Sequence, residues 1–136
     1  MKIVIDSNRI IAALIKEGTT REIIFTETID FIAPDFIKIE TSKYKDEIMK
    51  KVNITSEEFD ILLSLIFEHI EIIPKADYEK HLHKMEKEIS DTKDIPYLAT
   101  ALATQADGIW SHDSHFIQQK KVKIFSNIDI LKIIRK

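Results

Sequence analysis

Four carboxylates in this chain of 136 residues stand where acidic side chains from different segments can meet, namely Asp6, Glu40, Asp94 and Asp113. Asp6 follows the short apolar run Ile3–Ile5, and Asp113 comes two residues after the run Gly108–Ser111. In parallel sheets, ligand sites lie beyond the carboxyl ends of the strands, which is where these two acids fall if both runs are strands. Either acid taken alone is explained equally well as a turn residue or a helix cap.

Glu40 is the most informative of the four because it interrupts an apolar helical stripe. Ile37, Tyr44 and Ile48 recur at helical spacing, and Glu40 fills the gap between the first two. A carboxylate on the core-facing stripe must be paired, protonated or bound to a metal, since an isolated buried charge is very costly. The alternatives are a local ion pair with Lys43, or an edge position from which the side chain reaches water.

Asp94 has an ordinary structural explanation. It precedes Ile95 and Pro96, so it is a natural N-cap for a helix predicted over residues 96–106. Asp91 lies one turn earlier and is a further candidate acid. Capping alone would explain Asp94, and the argument for a site therefore depends on the whole set of acids, which come from four separate elements.

Carboxylates that converge in one pocket need a cation or shared protons. Two of them about 4 Å apart repel by about 4 kcal/mol at an effective dielectric constant near 20. The chain has no cysteine, and oxygen ligands alone favour Mg²⁺ or Mn²⁺, which bind substrate phosphates. The chemistry that this predicts is metal-assisted hydrolysis of a phosphodiester. Only two glycines are present, far apart, which excludes a glycine-rich phosphate loop.

The elements that must position these acids alternate between short apolar runs and helical segments. The pattern predicts strands near residues 2–6, 31–33, 70–73, 108–111 and 123–125, with a long helix over about 35–51 between the second and third. Strands separated by helices imply a parallel sheet covered on both faces. We therefore expect one domain over residues 1–136, an α/β fold built as a three-layer α/β/α sandwich around a central, mostly parallel sheet of four or five short strands.

The chain carries no segment that predicts export or membrane insertion. Its N-terminus has an apolar run of only three residues, far short of a signal-peptide core or a membrane span. We therefore expect a cytoplasmic protein with no membrane partner. The formal net charge is −3, which predicts weak affinity for free nucleic acid and a dependence on metal.

Four segments, in order along nearly the whole chain, resemble a PIN domain: Val4–Asn8, Glu40–Lys45, Asp94–Ala103 and Ile109–Phe116. The resemblance implies a Mg²⁺- or Mn²⁺-dependent endoribonuclease that hydrolyses RNA phosphodiester bonds. It assigns the catalytic and metal-binding roles to Asp6, Glu40, Asp94 and Asp113, with Asp91 as an accessory ligand. Many PIN domains are toxins of the virulence-associated-protein-C type, which implies an RNA substrate, an antitoxin protein and a homodimer.

The resemblance also suggests residues that position the substrate. Small polar residues of the family match Ser7, Asn8 and Ser111, and three basic side chains near the acids are candidates for phosphate contacts, namely His112, Lys43 and Lys45. The basic residues are candidates because of their charge and position alone, and solvated surface positions are the simpler explanation of them. The sequence departs from the family at Arg9, where an apolar residue is usual, and at His115, where some members have a further acid.

Two other functions are compatible with the same residues. The chain is then either a PIN-like binding or scaffold module without catalysis, or a housekeeping nuclease that processes RNA. Retention of all four acids favours an active nuclease.

Overall fold

The structure is a computed structural model that describes residues 1–89, 91–117 and 119–135. Its sheet has five strands, all paired in parallel: β1 (Lys2–Ile5), β2 (Asp30–Pro34), β3 (Ile70–Ile73), β4 (Gly108–Trp110) and β5 (Ile124–Phe125). The central strands are buried on both faces, as a parallel sheet requires. The predicted parallel sheet is therefore confirmed.

The strand order β3-β2-β1-β4-β5 places a switch in direction between β1 and β4. The first two connections move towards one edge of the sheet, and the connection from β3 returns past β1 to the other edge. Ile5 at the end of β1 lies opposite Trp110 at the end of β4. The carboxyl ends of these two strands therefore border the crevice in which open α/β sheets bind ligands.

Helices cover both faces of the sheet. The described α-helices are α1 (Ser7–Ile15), α2 (Thr19–Ile24), α3 (Phe36–Lys43), α4 (Lys45–Val52), α5 (Ser56–Phe67), α6 (Lys75–Tyr78), α7 (Leu82–Glu86), α8 (Ile95–Ala103), α9 (Ser114–Ile117) and α10 (Asn127–Ile134). Helix α1 packs against α2 to α5, whereas α8 packs on β1, β2 and β4 with α6 and α7 beside it. Because strand crossovers are right-handed, the reversal after β3 puts the second group on the opposite face. None of the described helices is long and apolar enough to cross a membrane.

The long helix expected over residues 35–51 is two helices, α3 and α4, which meet at Tyr44. Two side chains in the last turn of α3 bond back to the helix: the Thr41 hydroxyl donates to the Ile37 carbonyl at 2.9 Å, and the Ser42 hydroxyl to the Lys38 carbonyl at 2.8 Å. Such bonds compete with the backbone ladder and bend helices. The prediction of one helix was therefore wrong, and Glu40 lies near the end of a short helix.

Gly108 at the start of β4 is required by a close approach of β5. A Cβ atom at this position would overlap the ring of Phe125 and the carbonyl oxygen of Lys123. That carbonyl accepts the backbone N–H of Ile109 at 2.9 Å, so the two strands meet directly beside the glycine. The absence of a side chain therefore lets β5 pair closely with β4.

Candidate active site

Asp6 links the end of β1 to the start of α1. As the N-cap of α1, it accepts the backbone N–H of Arg9 on Oδ1 at 3.0 Å, while its Oδ2 accepts the Ser111 hydroxyl. The side chain is only 3 % exposed. Burial raises the pKa of Asp6 to about 6, although the bonds from Ser111 and Arg9 favour the charged form. Asp6 is thus a helix cap that also faces the crevice.

The loop after β4 brings Asp113 to the same place. The Ser111 hydroxyl donates to Asp6 and accepts the backbone N–H of Asp113 at 2.9 Å, so one buried serine connects the two acids. Asp113 Oδ1 in turn accepts the backbone N–H of His115 at 2.9 Å. These bonds fix the loop so that the Asp113 charge faces Asp6 and contributes to its raised pKa.

Asp94 occupies the N-cap position of α8, but its side chain makes no capping hydrogen bond. The residue is 7 % exposed, and its Oδ2 atom is buried without a hydrogen-bond partner. A buried carboxylate oxygen without a partner is destabilising, so a capping role does not explain this side chain.

The charge state of Asp94 reflects the acids around it. Burial is the largest cause that raises the pKa of Asp94 to about 7, followed by the negative charges of Asp113, Asp91, Asp6 and Glu40. These acids come from the junction of β1 and α1, from α3, from the segment before α8 and from the loop after β4. The charges of Asp6, Glu40, Asp91 and Asp113 therefore all act on Asp94, and we call these five residues the acidic cluster.

Glu40 is held in this cluster by Tyr97, a residue that the sequence patterns did not single out. Glu40 is 8 % exposed and its Oε1 accepts the Tyr97 hydroxyl. Burial and the Glu40 charge raise the pKa of Tyr97, which keeps the phenol protonated and donating. Lys43 is exposed, and the described residues include no ion pair between it and Glu40. Tyr97 lies one helical turn after Asp94, a spacing that puts both on one face of α8.

His115 also lies against the acidic cluster. Its Nδ1 atom is 3.0 Å from Asp113 Oδ1, 3.4 Å from Asp91 Oδ2 and 3.7 Å from Asp94 Oδ2. Ligand atoms of Asp91, Asp94 and His115 all lie within 4.8 Å of one another, close enough for a single cation. The sequence alone indicated only that His115 stands where some PIN domains have a further acid.

The predicted positioning residues are spread around the cluster. Ser7 is buried with its side chain in hydrogen-bonding reach of Tyr97, and Asn8 is exposed in the first turn of α1. His112 accepts the backbone N–H of Asn127 on Nε2 at 3.2 Å. Partial desolvation and then the Arg9 charge lower the pKa of His112, which favours the neutral ring.

Lys45 is directed away from the acids. Its Nζ donates to Asp60 at 2.9 Å and lies 5.5 Å above the ring of Phe59, both in α5. Arg9, in contrast, acts on the acidic cluster, since its positive charge favours the ionised form of Asp6. Its Nε atom is buried and has no hydrogen-bond partner.

A sequence model described as PIN domain matches residues 4–127, a range that includes every acid of the cluster. The chain belongs to the PIN domain family. No curated protein matches it. PIN domains are generally nucleases and typically depend on a metal, so the family accounts for the gathering of acids at this edge of the sheet.

The residues of this PIN domain fit a divalent cation. Ligand oxygens of Asp91 and Asp94 lie within 4.8 Å of each other, and two negative charges this close repel unless a cation or protons neutralise them. Two buried atoms that face each other, Asp94 Oδ2 and His115 Nδ1, have no hydrogen-bond partner, and a bound cation would satisfy both. The donors are mostly carboxylate oxygens, the ligands that hard divalent cations prefer.

Proposed function

We propose that this PIN domain is a Mg²⁺- or Mn²⁺-dependent endoribonuclease that hydrolyses RNA phosphodiester bonds. We propose further that it is a cytoplasmic toxin, acts as a homodimer and is held inactive by an antitoxin protein, as in many relatives. The observation that best supports a metal-dependent activity is the buried Asp94 carboxylate, which does not cap its helix and faces acids from other elements.

In this proposal the acidic cluster holds the cation through the residues Asp6, Glu40, Asp94 and Asp113, with Asp91 as an accessory ligand. A divalent cation bound there supplies an activated water and stabilises the negative charge that develops on the scissile phosphate. The chain contributes fixed positions for the ligands. Ser111 holds Asp6, and Tyr97 holds Glu40, so neither carboxylate has to reorganise when substrate binds.

RNA must approach an acidic edge of a chain whose formal net charge is −3. Arg9, His112 and Lys43 are the basic side chains that we propose for contacts with phosphates next to the scissile bond. Asn8 and Ser7 at the start of α1 are the proposed polar contacts. Lys45 is a weaker candidate because Asp60 already holds its ammonium group.

Replacing Glu40 by glutamine should abolish cleavage while the fold is retained. The amide oxygen can still accept the Tyr97 hydroxyl, but an amide is a poor ligand for a hard cation. Loss of groups that merely support a ligand costs about 10- to 100-fold in activity, so loss of a ligand should cost at least about a hundredfold. The measurement is the initial rate of RNA cleavage in Mn²⁺, with circular dichroism and thermal melting to verify folding.

Glu47→Gln is the matched control, because Glu47 is exposed on the neighbouring helix α4 and should retain full activity. Wild-type turnover in a folded Glu40→Gln protein would contradict a ligand role for Glu40. If neither the wild type nor the control cleaves any of a broad panel of RNAs in metal, the chain is the catalytically inactive binding module.

A further inference from the structure

His115 presents one edge of its imidazole to the acidic cluster and the rest of the ring to solvent. The side chain is 43 % exposed, yet its Nδ1 atom is buried. Three carboxylates surround that atom, those of Asp113, Asp91 and Asp94, at 3.0 to 3.7 Å. The nitrogen is therefore enclosed by acids that come from two separate segments of the chain.

This nitrogen makes no hydrogen bond to any of the described residues. Although Asp113 Oδ1 is only 3.0 Å away, Nδ1 makes no hydrogen bond with it, and that oxygen already accepts the His115 backbone N–H. Asp94 Oδ2, itself buried and without a partner, lies 3.7 Å from Nδ1. Asp94 Oδ2 and His115 Nδ1 thus face the same small space without a hydrogen bond between them, and a neutral imidazole has a lone pair on Nδ1 that a cation can take.

The spacing of these atoms suits a shared cation. Ligands at right angles around a small divalent ion, at about 2.1 Å each, are about 3.0 Å apart. The distances from Nδ1 to Asp91 and Asp94 are slightly longer, and a small side-chain adjustment closes the difference.

We infer that His115 is a direct nitrogen ligand of the cation held by the acidic cluster, and that it shifts the preference of the site from Mg²⁺ towards first-row transition cations such as Mn²⁺. This inference rests on the proposed metal-dependent function. Mg²⁺ prefers oxygen ligands throughout, whereas imidazole suits first-row cations such as Fe²⁺, Ni²⁺ and Zn²⁺; Mn²⁺ is the first member of that series and accepts a nitrogen ligand more readily than Mg²⁺ does. A carboxylate at position 115 would give the cation oxygen ligands only. A histidine adds one nitrogen ligand to the oxygen ligands.

The test is a direct detection of nitrogen bonded to Mn²⁺ in the full chain. With protein in excess over Mn²⁺, pulsed electron paramagnetic resonance reports coupling to ¹⁴N only when a nitrogen ligand is attached to the ion. The wild type should show this coupling and His115→Gln should lose it, while His83→Gln and His112→Gln keep it. His83 is an exposed side chain on α7 and His112 is the immediate neighbour, so they control for remote and adjacent histidines.

A second variant measures the change in preference. In His115→Asp, the ratio of Mn²⁺ to Mg²⁺ affinity from titration calorimetry should fall severalfold, because the site then has oxygen ligands only. Mn²⁺ that binds without nitrogen coupling, or coupling that survives in His115→Gln, would overturn the role of His115 and leave the carboxylate site intact. Failure of the wild type to bind Mn²⁺ at all would instead overturn the proposed metal-dependent function itself.

Discussion

Replacing Asp94 by asparagine should raise the melting temperature of the metal-free protein and remove most of the stabilisation that Mg²⁺ or Mn²⁺ gives to the wild type. Without metal, the change removes one charge from a cluster in which four neighbouring acids oppose it. The gain in the free energy of unfolding should be about 1 kcal/mol after allowing for solvent at the mouth of the cluster. With metal, the stabilisation of the folded chain grows with the ratio of the free cation concentration to the Kd of the site. Loss of a ligand raises that Kd and therefore reduces the stabilisation.

A structural role predicts a different result. Asparagine caps helices about as well as aspartate, so a residue that only caps α8 should show almost no change in either condition. Asp129→Asn is the matched control, because Asp129 is a true capping acid: its Oδ2 accepts the Ser126 backbone N–H at 2.9 Å. That variant should lose a little stability and keep the full metal-induced shift. An identical metal-induced shift in Asp94→Asn and the wild type would remove Asp94 from the site.

The metal-free protein should lose stability as the pH rises from about 4 to about 7. Burial raises the pKa of Asp94 from 3.8 to about 7 and that of Asp6 from 3.8 to about 6. In that window the folded chain holds protons that the unfolded chain has released, so each unit of pH favours unfolding. The stabilising contribution is complete below about pH 3.8, the value for the unfolded chain, and is lost as the pH passes the folded values. Because solvent at the mouth of the cluster weakens the repulsion, the loss should be a few kcal/mol, smaller than the full value of about 1.4 kcal/mol for each unit of pKa difference.

A divalent cation should reverse this trend. Cation and protons compete for the same carboxylates, so the metal-induced rise in melting temperature should grow with pH. Thermal melting in EDTA and in saturating Mn²⁺, at several values between about pH 5 and about pH 8, measures both effects. Asp94→Asn should flatten the metal-free profile. A wild-type stability that is constant or increases over this range in EDTA would contradict the repulsive cluster.

The central part of the fold follows from local patterns in the sequence. Short buried strands alternate with helices, and α5 and α10 each begin at a capping box formed by residues three apart, Thr55 with Glu58 and Ser126 with Asp129. These features depend on neighbouring residues alone. The break between α3 and α4 was missed because it depends on side-chain bonds within one turn that the apolar stripe does not reveal.

Position after a strand does not by itself decide what an acid does. Asp35 follows β2 just as Asp6 follows β1, but the Asp35 carboxylate accepts the Tyr78 hydroxyl at 2.7 Å and the Lys75 backbone N–H at 3.1 Å. It therefore anchors α6 instead of joining the cluster. The difference arises from strand order, since β1 borders the switch point and β2 does not.

The supporting groups of the candidate site depend on tertiary contacts. Tyr97 meets Glu40 only because α8 packs across β1 and β2, and His115 meets Asp91 only because the loop after β4 approaches the segment before α8. Spacing within the sequence does not encode either contact. For Asp94 the residues next to it indicate only an N-cap, and its assignment to the site came from the set of acids and the family resemblance; the packing directs its side chain towards the other acids.

Cleavage of RNA by the purified chain, with the chemistry of the new ends determined, tests the central claim most directly. The acidic cluster is expected to direct a metal-activated water at the phosphate, which leaves the ribose 2′-hydroxyl unreacted. The account predicts products with 5′-phosphate and 3′-hydroxyl ends in Mg²⁺ or Mn²⁺, and no product in EDTA. Cleavage that persists in EDTA, or products with 2′,3′-cyclic phosphate ends, would contradict it.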